Sequence, residues 1–334
     1  MKLKIEGNRF VITGGVSLIG SHIAEELLAA GAKEVVLFDN YSLGSTEMIG
    51  DLMKDERIRV VRGDILRVNE MYDAFQGAVG VFAAAAFLTL PLSENPPLGL
   101  AVNVQGHANL LEACRYAGVG KVVFSSSVAI YGDPGAEPVT EDSALRLASF
   151  SPAAALYSAT KIIGENLGKL YSQRHGIQFV SLRYSTVYGE RQHYRGVNAL
   201  YIMQNYDRIA RGERPTVPDD GREVHDYIHV SDVAAANVKA MASEVTGESI
   251  NVCTGVATTL NDVVATLLEV MGSTLEPESR TDPKALRAST STQMDFDRSK
   301  AERMLGWTPQ VDLAEGIRRL VAWRKAQDAQ RRAA

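Results

Sequence analysis

Short apolar runs alternate with segments of helical periodicity through the first half of the chain. Apolar runs bounded by glycine or polar residues predict buried strands, and apolar residues spaced three and four apart predict helices. The predicted strands are Phe10–Ile12, Val35–Phe38, Ile58–Val61, Val79–Ala84, Lys121–Phe124 and Gln178–Arg183, and the predicted helices include Leu18–Leu28, Asn103–Gly118 and Pro152–His175. This alternation predicts a parallel sheet with helices on both faces.

The alternation loosens after Arg191. We predict helices over Asn198–Arg211, Ser231–Ser243, Thr259–Met271 and Ser299–Leu305, strands over His225–Val230 and Ser249–Cys253, and a loop over Pro215–Gly221. The chain is therefore predicted to be an α/β protein with a Rossmann-type, doubly wound parallel sheet over residues 1–183, to which residues 225–253 return. Residues 184–334 are predicted to form most of a smaller α/β substrate-binding domain.

Composition narrows the classes of protein that fit this pattern. The 334 residues are 46% hydrophobic, and the net charge of −5 does not indicate a nucleic-acid-binding surface. The most apolar run, Ala78–Leu92, is too short to span a bilayer and contains Pro91, so it predicts a strand followed by a loop. Cys114 and Cys253 lie far apart without metal-site spacing. With no apparent signal peptide, we expect a cytoplasmic protein without a metal, membrane or nucleic-acid partner.

The first chemical motif is a glycine turn between the first strand and the first helix. Gly14 and Gly20 occupy two positions of a dinucleotide fingerprint, in which a helix N-terminus receives the pyrophosphate. Asp39 ends the second strand, where a carboxylate accepts hydrogen bonds from an adenosine ribose. Ser17 stands where the middle glycine is expected. It either crowds the pyrophosphate with its Cβ or donates a hydrogen bond to it.

The second motif is Tyr157-Ser-Ala-Thr-Lys161 in the third predicted helix. Residues four apart lie on one helix face, so the phenol and the ammonium are expected to be neighbours. An ammonium and a cationic nicotinamide favour the phenolate, which lowers the pKa of the phenol from about 10. Tyr157 is then suited to remove a proton from a substrate hydroxyl, to which Ser127 can also hydrogen-bond.

Taken together, the motifs resemble the extended short-chain dehydrogenase/reductase family of NAD-dependent epimerases and dehydratases, especially its nucleotide-sugar epimerases. The resemblance covers nearly the whole chain. Its motifs are Thr13-Gly-Gly, Asp39-Asn, Gly63-Asp-Ile, Phe124-Ser-Ser-Ser, Tyr131-Gly, Tyr157-x-x-x-Lys161, Arg183-Tyr, Val187-Tyr-Gly, His225-Asp-Tyr-Ile-His-Val-Ser-Asp232, Ser299-Lys300 and Leu305-Gly-Trp.

The resemblance implies a tightly bound NAD and a homodimer. It implies that Tyr157 is the acid and base, that Lys161 binds the nicotinamide ribose, and that Ser127 holds the substrate oxygen. The implied cofactor residues are Gly14, Ser17, Leu18, Ile19, Gly20, Asp39, Asn40, Asp64, Ile65, Ala83, Ala84, Ala85, Asn103, Ser125, Tyr157, Lys161 and Tyr184. The acid of Asp39-Asn40 favours NAD, because a ribose phosphate would meet a carboxylate.

The substrate side departs from the family pattern at several positions. Ser185 and Thr186 replace a phenylalanine and an asparagine, Pro218 replaces an aromatic that stacks on uracil, and His225 replaces an arginine that meets the diphosphate. Asn198 and Arg287 stand where the family binds phosphates. The implied substrate residues are Ser127, Thr186, Asn198, His225 and Arg287.

Val128-Ala129 follow Ser127, where the family's dehydratases carry Asp-Glu and its decarboxylases a glutamate at the second position. An epimerase of a UDP-hexose or UDP-uronate, acting by transient oxidation and re-reduction, is the leading interpretation. An NAD-dependent dehydrogenase of a sugar or sugar acid without a nucleotide is the alternative. A non-catalytic cofactor sensor is a third, and the intact Ser127, Tyr157 and Lys161 argue against it.

Overall fold

The computed structural model of the chain describes residues 2–133, 135, 137–192, 200–280 and 294–333. Strands and helices alternate along these residues. The strands are β1 (Arg9–Thr13), β2 (Glu34–Asp39), β3 (Ile58–Arg62), β4 (Gly80–Ala83), β5 (Lys121–Ser127), β6 (Gln178–Tyr184), β7 (Thr186–Tyr188), β8 (Thr216–Pro218), β9 (Val224–His225), β10 (Tyr227–His229), β11 (Glu248–Val252), β12 (Thr258–Thr259) and β13 (Glu278–Arg280).

The α-helices are α1 (Leu18–Ala29), α2 (Val68–Phe75), α3 (Thr89–Glu94), α4 (Pro96–Leu100), α5 (His107–Ala117), α6 (Pro152–His175), α7 (Leu200–Ala210), α8 (Val230–Ala242), α9 (Leu260–Met271), α10 (Ser299–Leu305) and α11 (Leu313–Ala333). A π-helical turn, Ala101–Gly106, leads into α5. No helix in the described ranges is both long and apolar enough to cross a membrane.

Seven strands of the described chain form one parallel sheet in the order β11-β6-β5-β4-β1-β2-β3. Helices α1, α8 and α10 contribute to the apolar core on one face, and α2 and α5 to the core on the other, with α6 packed against it. This confirms the predicted Rossmann-type, doubly wound fold. The chain leaves β1 in one direction and β4 in the other, so a crevice opens between their carboxyl ends, where such sheets bind ligands.

A smaller region lies beyond the carboxyl edge of the sheet. Its core is formed by apolar side chains of α7, α9 and α11 with residues of β7 and β10. Three short strand pairs belong to this half of the chain: β7 with β10, β8 with β13, and β9 with β12. The division of the chain into a cofactor domain and a substrate domain remains a prediction.

Three segments differ from the sequence prediction. The loop expected after β4 contains α3 and α4, because proline is compatible with the first turn of a helix and the Asn95 side chain caps α4 by accepting from Leu98 N–H. The loop expected over Pro215–Gly221 contains β8, whose partner β13 lies far along the chain.

The strand expected over His225–Val230 is interrupted at Asp226. The buried Asp226 carboxylate accepts hydrogen bonds from Thr254 N–H at 2.9 Å, Gly255 N–H at 2.7 Å and the Ser185 hydroxyl at 2.7 Å. The chain turns at this residue because β9 pairs with β12 on one side and β10 pairs with β7 on the other.

The packing of α6 on β6 gives a stability prediction. A Cβ added to Gly168 would lie 1.9 Å from Cζ of the buried Phe179 ring. Overpacking costs about 1–3 kcal/mol, and the helix propensity of alanine returns up to about 1 kcal/mol. We expect Gly168→Ala to lower the free energy of unfolding by about 1–2 kcal/mol in denaturant titrations. Gly50→Ala is the control, because its nearest neighbour is 3.7 Å away and its φ of −53° suits alanine. Equal stability of the two variants would contradict this packing.

Candidate active site

Two clefts meet at the carboxyl ends of β1 and β4. The cofactor cleft is lined by Gly14, Ser17, Phe38, Asp39, Asn40, Ser42, Leu43, Gly44, Gly63, Asp64, Ile65, Ala84, Ala85, Ala86, Phe87 and Val102. The catalytic cleft is lined by Ser17, Leu18, Ile19, Leu43, Ala84, Ala86, Leu88, Ser126, Ser127, Tyr157, Tyr184, Ser185, Val187 and Gln192. Four residues belong to both linings, so the clefts are continuous: Ser17, Leu43, Ala84 and Ala86.

The glycine turn brings α1 directly onto the end of β1. Gly14 has φ +70°, a conformation that glycine adopts without strain. A Cβ on Gly20 would lie 2.3 Å from the Gly14 carbonyl oxygen, so only glycine allows this approach. The unpaired N–H groups at the start of α1 then face the cleft where a pyrophosphate can bind. This cradle fits the diphosphate of a dinucleotide.

Ser17 lies at the junction of the two clefts. Its hydroxyl donates to the Gly14 carbonyl oxygen at 2.5 Å. The hydroxyl proton is thus directed into the turn, which disfavours the alternative in which Ser17 donates to the pyrophosphate.

Asp39 is positioned by the backbone around it. Its carboxylate accepts from Tyr41 N–H at 2.8 Å and from Val16 N–H at 3.1 Å. Burial raises the pKa of Asp39, and the backbone hydrogen bonds act against that rise. The Asn40 amide donates to Asp64 at 3.3 Å, so three of the predicted cofactor residues form one polar wall. The wall suits the hydroxyl groups of a ribose.

Of the other predicted cofactor residues, one set lines the two clefts and a second set is buried behind them. Ile65, Ala84 and Ala85 lie in the cofactor cleft, and Leu18, Ile19, Tyr157 and Tyr184 line the catalytic cleft. A second set is buried behind these walls: Gly20, Ala83, Asn103, Ser125 and Lys161.

The predicted catalytic side chains converge at the carboxyl end of β5. Ser127 ends β5, and its Oγ accepts from Ala129 N–H at 3.2 Å. Tyr157 lies in the second turn of α6, where Ser127 hydrogen-bonds to its phenol. The Lys161 ammonium donates to the Ser125 carbonyl oxygen at 2.8 Å and lies 5.7 Å from the centre of the Tyr157 ring.

Burial is the main cause of the pKa shifts of Tyr157 and Lys161. It raises the pKa of Tyr157 to about 12, against the effect of the hydrogen bond to Ser127. It lowers the pKa of Lys161 to about 8, against the attraction of Glu165. We expected Lys161 to lower the pKa of the phenol, but the pKa of Tyr157 is shifted in the opposite direction. The ammonium is directed at Ser125, so desolvation of the phenolate dominates.

The structure contains a buried ion pair between α6 and β6 that we did not predict from the sequence. Arg183 of β6 donates to both oxygens of Glu165 of α6, at 2.9 and 2.8 Å. Ser126 and Ser249 donate to the same carboxylate at 2.7 and 2.8 Å. Burial acts to raise the pKa of Glu165, but these donors and the Arg183 charge bring it below its usual value. The pair ties α6 to β5, β6 and β11.

Asn103 was predicted to bind the cofactor, and its side chain bonds to protein groups in the structure. Its amide accepts from Phe87 N–H at 2.7 Å and donates to the Phe87 carbonyl oxygen at 2.9 Å. It also donates to Thr160 Oγ1 at 3.1 Å, and that hydroxyl donates to the Tyr157 carbonyl oxygen at 2.7 Å. The chain of hydrogen bonds joins the wall of the cofactor cleft to the helical turn that carries the phenol.

The predicted substrate residues do not all lie at the catalytic cleft. Thr186 begins β7 between Ser185 and Val187, which line the catalytic cleft. His225 lies outside both linings, with its Nε2 2.7 Å from a Glu223 carboxylate oxygen. Its phosphate-binding role stays a prediction, as do those of Asn198 and Arg287, which lie outside the described residues.

Several cleft residues were not predicted. Leu43 and Gly44 follow β2, and a Cβ on Gly44 would lie 2.5 Å from the Val16 carbonyl oxygen. Gly44, five residues after Asp39, is the feature of the sequence that could have indicated this close approach. Gln192 lies in the catalytic cleft just after the Val187-Tyr-Gly motif, and only tertiary structure brings it there.

Comparisons with known proteins agree with this geometry. The family model of the NAD dependent epimerase/dehydratase family matches residues 10–253. The chain is 34% identical over 318 residues to a putative UDP-glucose 4-epimerase of Methanocaldococcus jannaschii, covering 94% of this chain and 98% of that protein. It is 33% identical to the Thermus thermophilus UDP-glucose 4-epimerase solved with NAD, with a TM-score of 0.81 and coverage of 95% and 99%. A UDP-N-acetylglucosamine 4-epimerase of Methanobrevibacter ruminantium, solved with UDP-N-acetylmuramic acid, gives 27% identity, a TM-score of 0.86 and coverage of 96% and 99%.

The hydrogen bonds through Thr160 give the second prediction. Thr160→Val keeps the side-chain volume but leaves an Asn103 N–H without its acceptor, whereas the Tyr157 carbonyl oxygen keeps its helical hydrogen bond from Lys161 N–H. A buried polar group without a partner costs about 1–3 kcal/mol, and we expect a loss of that size in the free energy of unfolding. Thr160→Ser is the matched control, because it keeps the hydroxyl and loses one methyl group, worth about 1 kcal/mol. A serine variant less stable than the valine variant would show that packing, not hydrogen bonding, dominates here.

Proposed function

This chain belongs to the NAD-dependent epimerase/dehydratase family, and from that premise we propose that it is a 4-epimerase of a UDP-hexose that uses NAD as its cofactor. The observation that carries the proposal is the continuity of the two clefts. The glycine cradle and Asp39 lie in one cleft, and Ser127 and Tyr157 lie in the other, with Ala84 and Ala86 between them. A sugar carbon beside the phenol would thus be close to the cofactor cleft.

Tyr157, Ser127 and Lys161 have different roles in such a reaction. NAD, when bound, supplies a reversible hydride acceptor. Tyr157 removes the proton from the substrate hydroxyl as its carbon is oxidised, and returns that proton when the carbon is reduced on its other face. Ser127 hydrogen-bonds the same oxygen. Lys161 supplies a positive charge one helical turn away, which opposes the cost of a buried phenolate.

The surroundings of Ser127 favour epimerisation over elimination or decarboxylation. Val128 and Ala129 follow Ser127 in a short turn, so this position offers no carboxyl group as an additional acid or base. The remaining alternative is an NAD-dependent dehydrogenase of a sugar without a nucleotide. Asn198 and Arg287 are proposed to bind the substrate phosphates, as the family pattern implies.

Product analysis tests the function directly. Purified protein is incubated with a panel of UDP-glucose, UDP-galactose and UDP-glucuronate, and of free sugars and sugar acids. We expect one UDP-sugar to be converted into its epimer without accumulation of NADH. Oxidation of a free sugar, with NADH formed in proportion to product, would instead establish the dehydrogenase.

Tyr157→Phe tests the role of the phenol. The substitution keeps the ring and removes the group that transfers the proton. General acid–base catalysis contributes about 10²–10⁴-fold, so we expect kcat to fall by that factor while NAD remains bound. Tyr72→Phe, on α2 and outside both cleft linings, serves as the control. Wild-type turnover in Tyr157→Phe would remove Tyr157 from the mechanism.

We also propose a homodimer formed through α5 and α6. Large apolar side chains on these helices are exposed: Tyr116 on α5, and Ile163 and Leu170 on α6. Light scattering is expected to give about twice the 36.2 kDa mass of the chain. Leu170→Glu places a charge on this surface and should give a folded monomer with unchanged circular dichroism. A wild-type mass of one chain at micromolar concentration would contradict the dimer.

The cytoplasmic location is proposed on the cysteine content. Cys114 and Cys253 are both free and buried in the structure. A protein with two buried thiols and no disulfide suits a reducing compartment.

A further inference from the structure

The segment Val187–Gln192 forms the substrate side of the catalytic cleft. Val187 and Gln192 lie in the same lining as Tyr157. Between them the backbone runs close to the start of α8, because a Cβ on Gly189 would lie 2.5 Å from Val230 Cγ1. Arg191 has φ +64°, which is an uncommon conformation for a residue with a side chain. The segment is therefore held in a specific shape by contacts outside itself.

Glu190 makes the central contact of this segment. Its Oε2 lies 3.0 Å from Nε2 of His229, whose side chain is 1% exposed at the start of α8. The same oxygen lies 4.0 Å from Nε2 of His22 on α1. The next residue, Arg191, forms an ion pair with Glu25, also on α1. Two consecutive charged residues thus connect the substrate segment to α8 and to the helix of the glycine turn.

The partners of the ring nitrogens define which histidine donates to Glu190. His229 Nδ1 accepts from Ser231 N–H at 3.3 Å and lies 2.8 Å from the Ser231 hydroxyl, which can also donate to it, so we assign the proton of the neutral ring to Nε2. His22 Nδ1 lies 2.8 Å from the Leu18 carbonyl oxygen, which can only accept, so its Nε2 is unprotonated in the neutral ring. Burial and the nearby Arg191 charge lower the pKa of His22. Of the two neutral rings, only that of His229 has a protonated nitrogen close to Glu190, with its Nε2 3.0 Å from Oε2.

Glu190 stays ionised in this environment. Burial acts to raise its pKa, but the neighbouring His229 imidazole and the backbone N–H of Glu190 itself lower it to about 2. Glu190 Oε2 and His229 Nε2 are both shielded from solvent, and at 3.0 Å they form a polar pair that an apolar side chain cannot replace.

We propose that Glu190 is a positioning residue, which holds the substrate wall of the catalytic cleft against α8 through His229. The wall that contains Val187 and Gln192 is then placed at a fixed distance from Tyr157 before substrate arrives. The consequence for activity rests on the proposed epimerase function. A residue with this role affects the binding of substrate more than the chemical step.

Three variants isolate the contact. Glu190→Ala removes the carboxylate, and Glu190→Gln keeps an oxygen that can accept from His229 Nε2–H. His229→Asn keeps a side-chain oxygen suited to cap α8, and it removes the imidazole next to Glu190 together with its edge-on packing against Tyr188. Glu34→Gln is the control, because Glu34 pairs with Arg9 at the opposite end of the sheet. Steady-state kinetics are measured with the UDP-sugar that wild type converts, and hydrogen exchange is measured on residues 187–192 of NAD-loaded protein.

We expect Glu190→Ala and His229→Asn each to raise KM about tenfold, equivalent to ~1.4 kcal/mol, with kcat within about twofold of wild type. The double variant should be no worse than either single variant, because both remove one interaction. Glu190→Gln should keep KM within about threefold of wild type, as a neutral acceptor weakens the bond without abolishing it. Exchange in residues 187–192 should quicken about tenfold in Glu190→Ala, and Glu34→Gln should change nothing.

Other results would overturn the proposal. These are an unchanged KM in Glu190→Ala, an equal loss in kcat, a double variant in which the single effects multiply, or a Glu190→Gln as impaired as Glu190→Ala. If Glu190→Ala does not fold, His229→Asn supplies the same comparison. If wild type converts no UDP-sugar, the proposed function is wrong, and the positioning role is then tested by hydrogen exchange alone. Unaltered exchange of residues 187–192 in the variants would overturn that role.

Discussion

The buried ion pair of Glu165 and Arg183 is the contact on which the catalytic geometry depends. Its carboxylate receives hydrogen bonds from Arg183, Ser126 and Ser249, so one side chain of α6 is tied to β5, β6 and β11. Breaking such a pair by removing one partner typically costs about 3–5 kcal/mol, because the other charge stays buried. The pair holds Tyr157, two helical turns before Glu165, against the end of β5. It thus determines how closely the phenol approaches the serine that ends that strand.

The parallel sheet supplies the second constraint. Its strands end at one edge, and the chain departs from β1 and β4 in opposite directions, so a crevice at this point follows from topology alone. The glycine turn fills one side of the crevice and the phenol stands at the other. Three of the four residues that line both clefts have small side chains, namely Ser17, Ala84 and Ala86, so a flat ligand can lie along the backbone there. Family membership and geometry therefore lead to the same chemistry.

The sequence alone was sufficient to predict those site residues whose positions are determined by their own strand or helix. Asp39 ends an apolar run, and Tyr157 and Lys161 are one helical turn apart, so strand and helix periodicity place them. Contacts between residues far apart in the sequence could not be predicted in this way. The bend at Asp226 depends on amide groups of residues 254–255, and the Asn103 side chain bonds to the backbone of Phe87. The direction of the Tyr157 pKa shift was also missed, because burial is a property of the folded protein.

The proposed epimerisation requires that one sugar carbon is oxidised and then reduced by the same hydride within the catalytic cleft. The most direct measurement uses UDP-glucose that carries deuterium on the carbon to be inverted, with the reaction run in ordinary water and the product examined by NMR and mass spectrometry. We expect UDP-galactose that retains the deuterium on the inverted carbon. Inversion with loss of the deuterium to water, or its appearance in released NADH, would contradict this expectation.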